Sequence, residues 1–346
     1  MSVTHDSTEA TSGTRPQGDA LLQVRDLTKV FDVRQGRQTT HLRALDGVTL
    51  DLRRGETLGL VGESGCGKST LARTLLMLER PNAGTIRFDG VDPLSLSGKE
   101  LLAFRRRVQM VFQDPFASLN ARMTAGEIVG EPWATHKDLY ATSRDRAARV
   151  RELLSLVGLR PSDADKFPQE FSGGQRQRLG IARALALNPD VIVCDEPVSA
   201  LDLSVQAQVL NLLNDLQQQL GVSYLFISHD LSVVRHVADR VVVMYLGRII
   251  EQGDTEPTFD RPLHPYTGAL MSAAPSLGAR TREQIILSGE IPSPLNPPSG
   301  CRFRTRCWKA TDECATTPPV VQGSGPEHTA ECFHPLGASE LVDVAP

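Results

Sequence analysis

Up to about residue 255, short apolar runs alternate with longer stretches in which apolar residues return every three or four positions. The short runs predict strands over 56–61, 107–112, 191–195 and 222–228. They are apolar at nearly every position, the pattern of strands covered on both faces of a parallel sheet. In 143–157, Val150, Leu153, Leu154 and Val157 fall at i, i+3, i+4 and i+7. Over 203–220, Val205, Val209, Leu212, Leu213, Leu216 and Leu220 repeat that stripe, so both stretches predict amphipathic helices. Alternation of this kind predicts an α/β domain with a largely parallel sheet. No run approaches the roughly 18 apolar residues that a bilayer span requires. Beyond 255 the pattern weakens, and 13 of the 22 prolines lie between Pro257 and Pro346. The stretch 291–300 (IPSPLNPPSG) is expected to be extended or turned, because proline fixes φ and removes donors. No internal repeat is found, so the main domain occurs once.

Composition narrows the class. At 346 residues the chain is long for one domain, and 40% apolar with 23% charged residues excludes wholesale disorder and collagen-like repeats. A net charge of -4 argues against nucleic acid as a partner. Residues 1–20 are polar and lack an apolar core, which reads as a disordered leader and not a signal peptide; a cytosolic chain is expected. Cys66 and Cys194 stand alone, whereas Cys301, Cys307, Cys314 and Cys332 crowd together. In a reducing compartment such a cluster suggests a metal or cluster site before a disulfide framework.

Chemistry concentrates at two strand ends. Gly62-Glu-Ser-Gly-Cys-Gly-Lys-Ser-Thr70 matches G-x-x-x-x-G-K-S/T, follows an apolar strand and opens a helical pattern. Gly62, Gly65 and Gly67 let the backbone, with Ser64 between them, turn its N–H groups around phosphate oxygens, and the helix start at Ser69 and Thr70 adds its positive dipole end. Lys68 supplies a cation for the β- and γ-phosphates, and Ser69 a hydroxyl for Mg²⁺. Val191-Ile-Val-Cys-Asp195-Glu196 is an apolar strand ending in two carboxylates. Alone it would be an ordinary acidic strand end. Beside a phosphate loop, Asp195 is placed to hold the Mg²⁺ shell through water, and Glu196 to polarise a water facing the γ-phosphate.

Further segments identify a family. Phe171-Ser-Gly-Gly-Gln-Arg-Gln-Arg178 resembles the signature motif of ATP-binding cassette proteins. Ser199-Ala-Leu-Asp202 resembles their D-loop, Ile227-Ser-His-Asp230 their switch-histidine loop, Gln113 their Q-loop glutamine, and Phe31 stands where they stack an aromatic ring on adenine. The resemblance implies a RecA-like P-loop core with an antiparallel β subdomain and a helical signature subdomain. It also implies that two cassettes sandwich ATP and Mg²⁺, with Ser172, Gly173, Gly174 and Gln175 meeting the γ-phosphate held by the partner cassette. Glu196 would be the general base, His229 would contact the γ-phosphate, and Gln113 would join the Mg²⁺ shell and report nucleotide state.

A closer resemblance covers about residues 21–335. Gln113-Asp-Pro-Phe-Ala-Ser-Leu-Asn120, Arg122-Met-Thr124, the run 198–211, His264-Pro-Tyr-Thr267 and Gly300-Cys-Arg-Phe-Arg-Thr-Arg-Cys307 look like the ATPase subunits of oligopeptide and dipeptide importers. Ala121 departs from it, where proline is expected. Three parts follow: a leader (1–20), a nucleotide-binding domain (21–255) and a C-terminal importer-type tail (256–346). The implied activity is ATP hydrolysis that drives a peptide permease; nickel or another small solute, or a non-transport cassette ATPase, are the alternatives. Partners would be a second ATPase subunit, two membrane permease subunits and, indirectly, an extracellular binding protein, with the chain peripheral on the cytoplasmic face. Similar tails are associated with a 4Fe–4S cluster, so Cys301, Cys307, Cys314 and Cys332 are expected to hold iron–sulfur, and zinc is less favoured because paired C-x2-C knuckles are lacking.

Overall fold

Apolar strands with no polar face must be covered on both sides, and this organises the chain. The computed structural model describes residues 20–36, 38–140, 142–273, 284–325 and 328–337. Eleven strands lie among them: β1 (Ala20–Gln35), β2 (Gln38–Arg53), β3 (Thr57–Val61), β4 (Ala83–Phe88), β5 (Val108–Val111), β6 (Val191–Asp195), β7 (Ser223–Ser228), β8 (Arg240–Tyr245), β9 (Arg248–Asp254), β10 (Val321–Gly325) and β11 (His328–Glu331). β2, β1 and β4 form an antiparallel sheet. The other eight run in the order β10-β11-β9-β8-β3-β7-β6-β5. From β8 to β5 the pairs are parallel, and the β9, β10 and β11 pairings are antiparallel.

The centre of the large sheet separates two cores. β3, β6 and β7 are buried at every residue. Alternate residues serve alternate sides, as the pleat requires. Leu58, Leu60, Val191, Val193, Leu225 and Ile227 pack with the small sheet and with Leu71 and Leu75 of the helix Lys68–Leu75. Ile192, Cys194, Tyr224 and Phe226 pack against the helices Gly173–Leu185 and Leu203–Leu220. A helical portion carrying Ala125–Gly130 and Ser143–Leu156 precedes Gly173–Leu185, and the buried Trp133 indole pins it by donating to the Ala186 carbonyl (2.9 Å).

The predicted elements form within a residue or so of their expected ends. The helix 203–220 stops at Gly221, whose φ of 69° suits a left-handed C-cap. The run 107–112 shortens to Val108–Val111 because Arg107 still belongs to the helix Gly98–Arg107. Of the expected leader, residues 1–19 lie outside the described residues and Ala20 is already the first residue of β1. The stretch 291–300 contains neither helix nor strand.

Past β9 the chain folds back onto the sheet. Helices form at Thr255–Asp260 and Pro265–Ala273, and β11 pairs with β9 through Thr329–Gln252 and Ala330–Glu251. Tyr245, Tyr266 and Phe303 stack with ring centroids 4.8–5.4 Å apart. Beside them lies His264, 1% exposed, whose Nδ1 accepts the Tyr266 backbone N–H (3.0 Å). The buried Glu251 carboxylate receives the Leu263 and His264 backbone N–H groups and the His328 ring.

Burial pushes the His264 imidazole down to about 3 from its ordinary 6.5. Between those values the unfolded chain binds the extra proton and the folded chain does not, so this contribution is intact above pH 6.5 and is lost as pH falls toward 3. His264→Asn retains an acceptor for Tyr266 but cannot titrate. Thermal melts should therefore show a smaller fall in Tm for the variant than for the parent between about pH 7 and pH 5. Equal slopes would remove His264 from the acid response.

Candidate functional site

The phosphate-type loop spans the turn between β3 and the helix Lys68–Leu75. Glycine is required there: at Gly67 (φ 115°) a Cβ would sit 2.4 Å from the Ala44 carbonyl oxygen, and at Gly62 2.2 Å from that of Met244. The loop curls over Lys68, which is 6% exposed and donates from Nζ to the carbonyls of Gly62 (2.7 Å) and Glu63 (3.0 Å).

Other strands end at the same edge. Val61 of β3 is level with Ser228 of β7, and Ile227 with Asp195 of β6. Asp195 thereby meets the loop, with Ser69 Oγ 3.5 Å from its Oδ1. Burial raises the Asp195 carboxyl above its ordinary range, the Ser69 hydroxyl pulls it down, the neighbouring Glu196 raises it again, and Lys68 and Arg73 lower it. Glu196 has a positive φ of 47°, a conformation costing on the order of 1–3 kcal/mol for a non-glycine residue. Its side chain is held twice: Gln113 Nε2 donates to Oε2 (2.9 Å), and His229 Nδ1 lies 3.2 Å from Oε1. Gln113 follows β5 and His229 follows β7, so three strand ends meet on one carboxylate.

These groups line a cleft of about 490 Å³. Ser64, Gly65, Gly67, Lys68, Ser69 and Thr70 line it on the loop side, joined by Gln113, Glu196 and His229. Phe31 joins them from β1, its ring 4.7 Å from Lys29 Nζ. Gly62 and Asp195 act from behind, through Lys68 and Ser69. Sequence reasoning missed Arg43 and Ala44 of β2, Leu246 and Gly247 at the β8–β9 turn, and Pro294. No local pattern marks these residues, since each is brought in by long-range packing.

Known proteins resemble this chain. The ABC transporter family profile matches residues 45–199, and that of the oligopeptide/dipeptide transporter C-terminal region matches 250–314. The oligopeptide transport ATP-binding protein AppF of Bacillus subtilis is 53% identical over 321 residues, covering 91% of this chain and 97% of that protein. OppF of Salmonella typhimurium is 51% identical, covering 92% and 97%. This chain belongs to the ATP-binding subunits of oligopeptide ABC transporters. A dimeric ATP-binding cassette solved in a post-hydrolysis state with ADP and Pi is 30% identical, with a TM-score of 0.60 over 68% of this chain and 98% of that one. The cassette is accordingly an ATPase, with the P-loop fold of its family.

One expected group does not line this cassette's own cleft. Ser172, Gly173, Gly174 and Gln175 sit at the start of the helix Gly173–Leu185 and are absent from the lining. Ser172 caps that helix in a reciprocal box: its backbone N–H donates to Gln175 Oε1 (2.9 Å) and its Oγ accepts from Gln175 N (3.4 Å). At Gly174 a Cβ would stand 2.3 Å from Val205 Cγ1 of the helix Leu203–Leu220. Bare backbone N–H groups are thus imposed by packing as well as by chemistry.

The four late cysteines also converge. Cys301, Cys307, Cys314 and Cys332 line one small cavity with His264, Arg304 and Lys309. Burial, then neighbouring thiols, push Cys332 up to about 12, and burial pushes Cys307 up to about 11. Yet among the described residues no three His, Cys, Asp or Glu side chains are arranged to hold a metal ion, so the geometry gives the expected cysteine ligand set no support. All six cysteines are free thiols, and Cys66 and Cys194 are buried as small core residues.

Valine is stiff at χ1, so an added methyl at Gly174 has little room. Gly174→Ala should cost about 1–3 kcal/mol in denaturant unfolding, and adding Val205→Ala should recover most of it. A single variant as stable as the parent would mean that this contact yields freely.

Proposed function

We propose that this chain is the energy-coupling ATPase of a peptide importer, with Glu196 as the base that activates water. The carrying observation is the Glu196 carboxylate, held by Gln113 and His229 in the lining of the cleft that the phosphate loop also lines. A carboxylate bonded at both oxygens has a defined direction, which positions a water for in-line attack on the γ-phosphorus. The water proton goes to Glu196 as the new P–O bond forms, and the bond to the ADP oxygen breaks. Lys68 and the loop N–H groups stabilise the charge that builds on the phosphate oxygens. Ser69 and Asp195, with Gln113, are the side chains suited to hold Mg²⁺, which supplies charge neutralisation when bound.

Completion by a second cassette is supported by the position of Ser172–Gln175 outside the cleft of their own chain, and by the dimeric state of the solved relative. Helix capping leaves the backbone N–H groups of that helix start directed at an anion presented from outside. Peptide as the cargo class is supported by the oligopeptide transport relatives and by the transporter-type C-terminal match. No feature of the described residues favours nickel, another small solute or a non-transport role. Among those residues no helix is long and apolar enough to cross a membrane, which fits a peripheral subunit docked on permease partners.

Coupling to a permease has a mechanical basis. Gln113 leads into the segment ending at Thr124, which is tied to the signature helix at two points. Arg183 donates to the Ser118 carbonyl (2.7 Å), and the Arg176 guanidinium lies 3.9 Å from the centroid of Phe116, an exposed ring. A change at Glu196 that moves Gln113 would therefore displace this segment and the helical portion together.

Glu196→Gln should bind ATP within a few-fold of the parent and hydrolyse it at least ~100-fold more slowly, read by nucleotide binding and phosphate release. Turnover within a few-fold of the parent would remove Glu196 as base.

The cysteine cavity is proposed as an iron–sulfur site. Four thiols and no carboxylate line it, a soft donor set, and mutual repulsion of their thiolates would be relieved by bound cationic iron. Anaerobic purification should return iron and acid-labile sulfide together; stoichiometric zinc without sulfide would overturn the assignment.

A further inference from the structure

The second residue of the phosphate loop is a carboxylate, Glu63, in a loop whose ligand is itself an anion. Like charges within a few ångströms in a partly buried site repel strongly. Burial pushes the Cys66 thiol up, Lys68 pulls it down, and Glu63 pushes it up again, so the Glu63 charge is felt in the middle of the loop. Something must offset it.

The offset comes from 243 residues away in sequence. Arg306, 8% exposed, bonds Glu63 in a two-point fork: one guanidinium nitrogen donates to Oε2 (2.8 Å) and the other to Oε1 (3.0 Å). The Tyr266 hydroxyl, also from the C-terminal part, accepts the Glu63 backbone N–H (3.0 Å). Burial works against the Arg306 charge, yet its bonds to Glu63 and to the Tyr245 hydroxyl hold its pKa raised. Four residues earlier, Arg302 grips a second wall of the cleft, bonding Asp46 and the Leu246 carbonyl. The run Cys301–Cys307 thus reaches the phosphate loop through Glu63 and the cleft lining through Leu246, while its cysteines face their own cavity.

We propose that Arg306 is a positioning residue for the nucleotide: by neutralising and orienting Glu63, it lets a phosphate loop that contains a carboxylate accept a triphosphate. This rests on the reading of the cleft as the Mg-ATP site. Arg306 touches no substrate and acts through Glu63 alone. A planar guanidinium matches a carboxylate at two points, and a lysine does not.

The test uses the full-length chain, with equilibrium binding of a fluorescent N-methylanthraniloyl ATP and steady-state hydrolysis. Arg306→Gln should weaken nucleotide binding and raise KM about tenfold, with kcat within about twofold, because it exposes the Glu63 charge. Arg306→Gln combined with Glu63→Gln should bind several-fold more tightly than Arg306→Gln alone, because the uncovered charge is then gone. The deficit of the single arginine variant should also shrink as salt is raised. A double variant as weak as Arg306→Gln would show that the arginine only props the loop, and an unaffected Arg306→Gln would overturn the proposal outright. Lys68→Ala is the separating control. If it binds nucleotide as the parent does, the cleft reading itself fails; if it loses binding while Arg306→Gln keeps it, only the role of Arg306 fails.

Discussion

Strands buried on both faces have nowhere to place polar chemistry except their ends, and in a parallel sheet the C-terminal ends point the same way. β3, β6 and β7 are enclosed along their whole length, so charge is confined to a strand's last residue, as at Asp195 of β6, and to the residues that follow. After β3 comes the loop that wraps Lys68; Gln113 follows β5, Glu196 follows β6 and His229 follows β7. Strand register then does the assembling, because Val61 level with Ser228, and Ile227 level with Asp195, bring those ends together without help from any flexible segment. The Glu196 contacts to Gln113 and His229 follow from this alignment. The geometry of the cleft is here a by-product of a packing rule.

The same edge gathers several like charges, and the structure offsets each differently. Asp195 is partly desolvated and leans on Ser69. Glu196 is shared between two strand-end side chains. Glu63 lies in the loop itself and is matched by Arg306 from the far end of the chain. Only Lys68 opposes them from inside the loop, and its ammonium is already committed to two backbone carbonyls.

What the sequence made legible was what is local. Gly62–Thr70, Asp195–Glu196 and the residues after each strand are contiguous patterns, and Ser64–Thr70, Gln113, Glu196 and His229 from them line one cleft, with Asp195 behind Ser69. The long β1–β2 hairpin was not visible as periodicity, because bulges between Val24 and Val30 break the alternation, with Asp26 at a positive φ of 50°. The tail was opaque for another reason: prolines hide its period, and its order comes from stacking Tyr266 and Phe303 on Tyr245 and from pairing β11 with β9. Cysteines scattered over 301–332 line one cavity, but side-chain closure on a metal is not encoded in their spacing.

A nucleotide site built this way is incomplete twice over. Ser172–Gln175 lie outside the lining of their own cleft, so under the proposed reading their helix start serves a phosphate held by a second cassette, in addition to the helix start at Lys68 within the cleft. The loop also depends on a segment the core does not contain, since the Glu63 charge is matched only when the run Cys301–Cys307 is docked. The two dependencies differ in kind. Under the proposed reading the first would make hydrolysis conditional on a second cassette and so would give transport a place to couple. The second involves no partner: it ties the electrostatics of the phosphate loop to the integrity of the cysteine-lined cavity, because Arg306 and Cys307 are adjacent in the chain. A disturbance of that cavity which moved the backbone would loosen the Arg306–Glu63 pair at the phosphate loop and the Arg302 hold on Leu246 together.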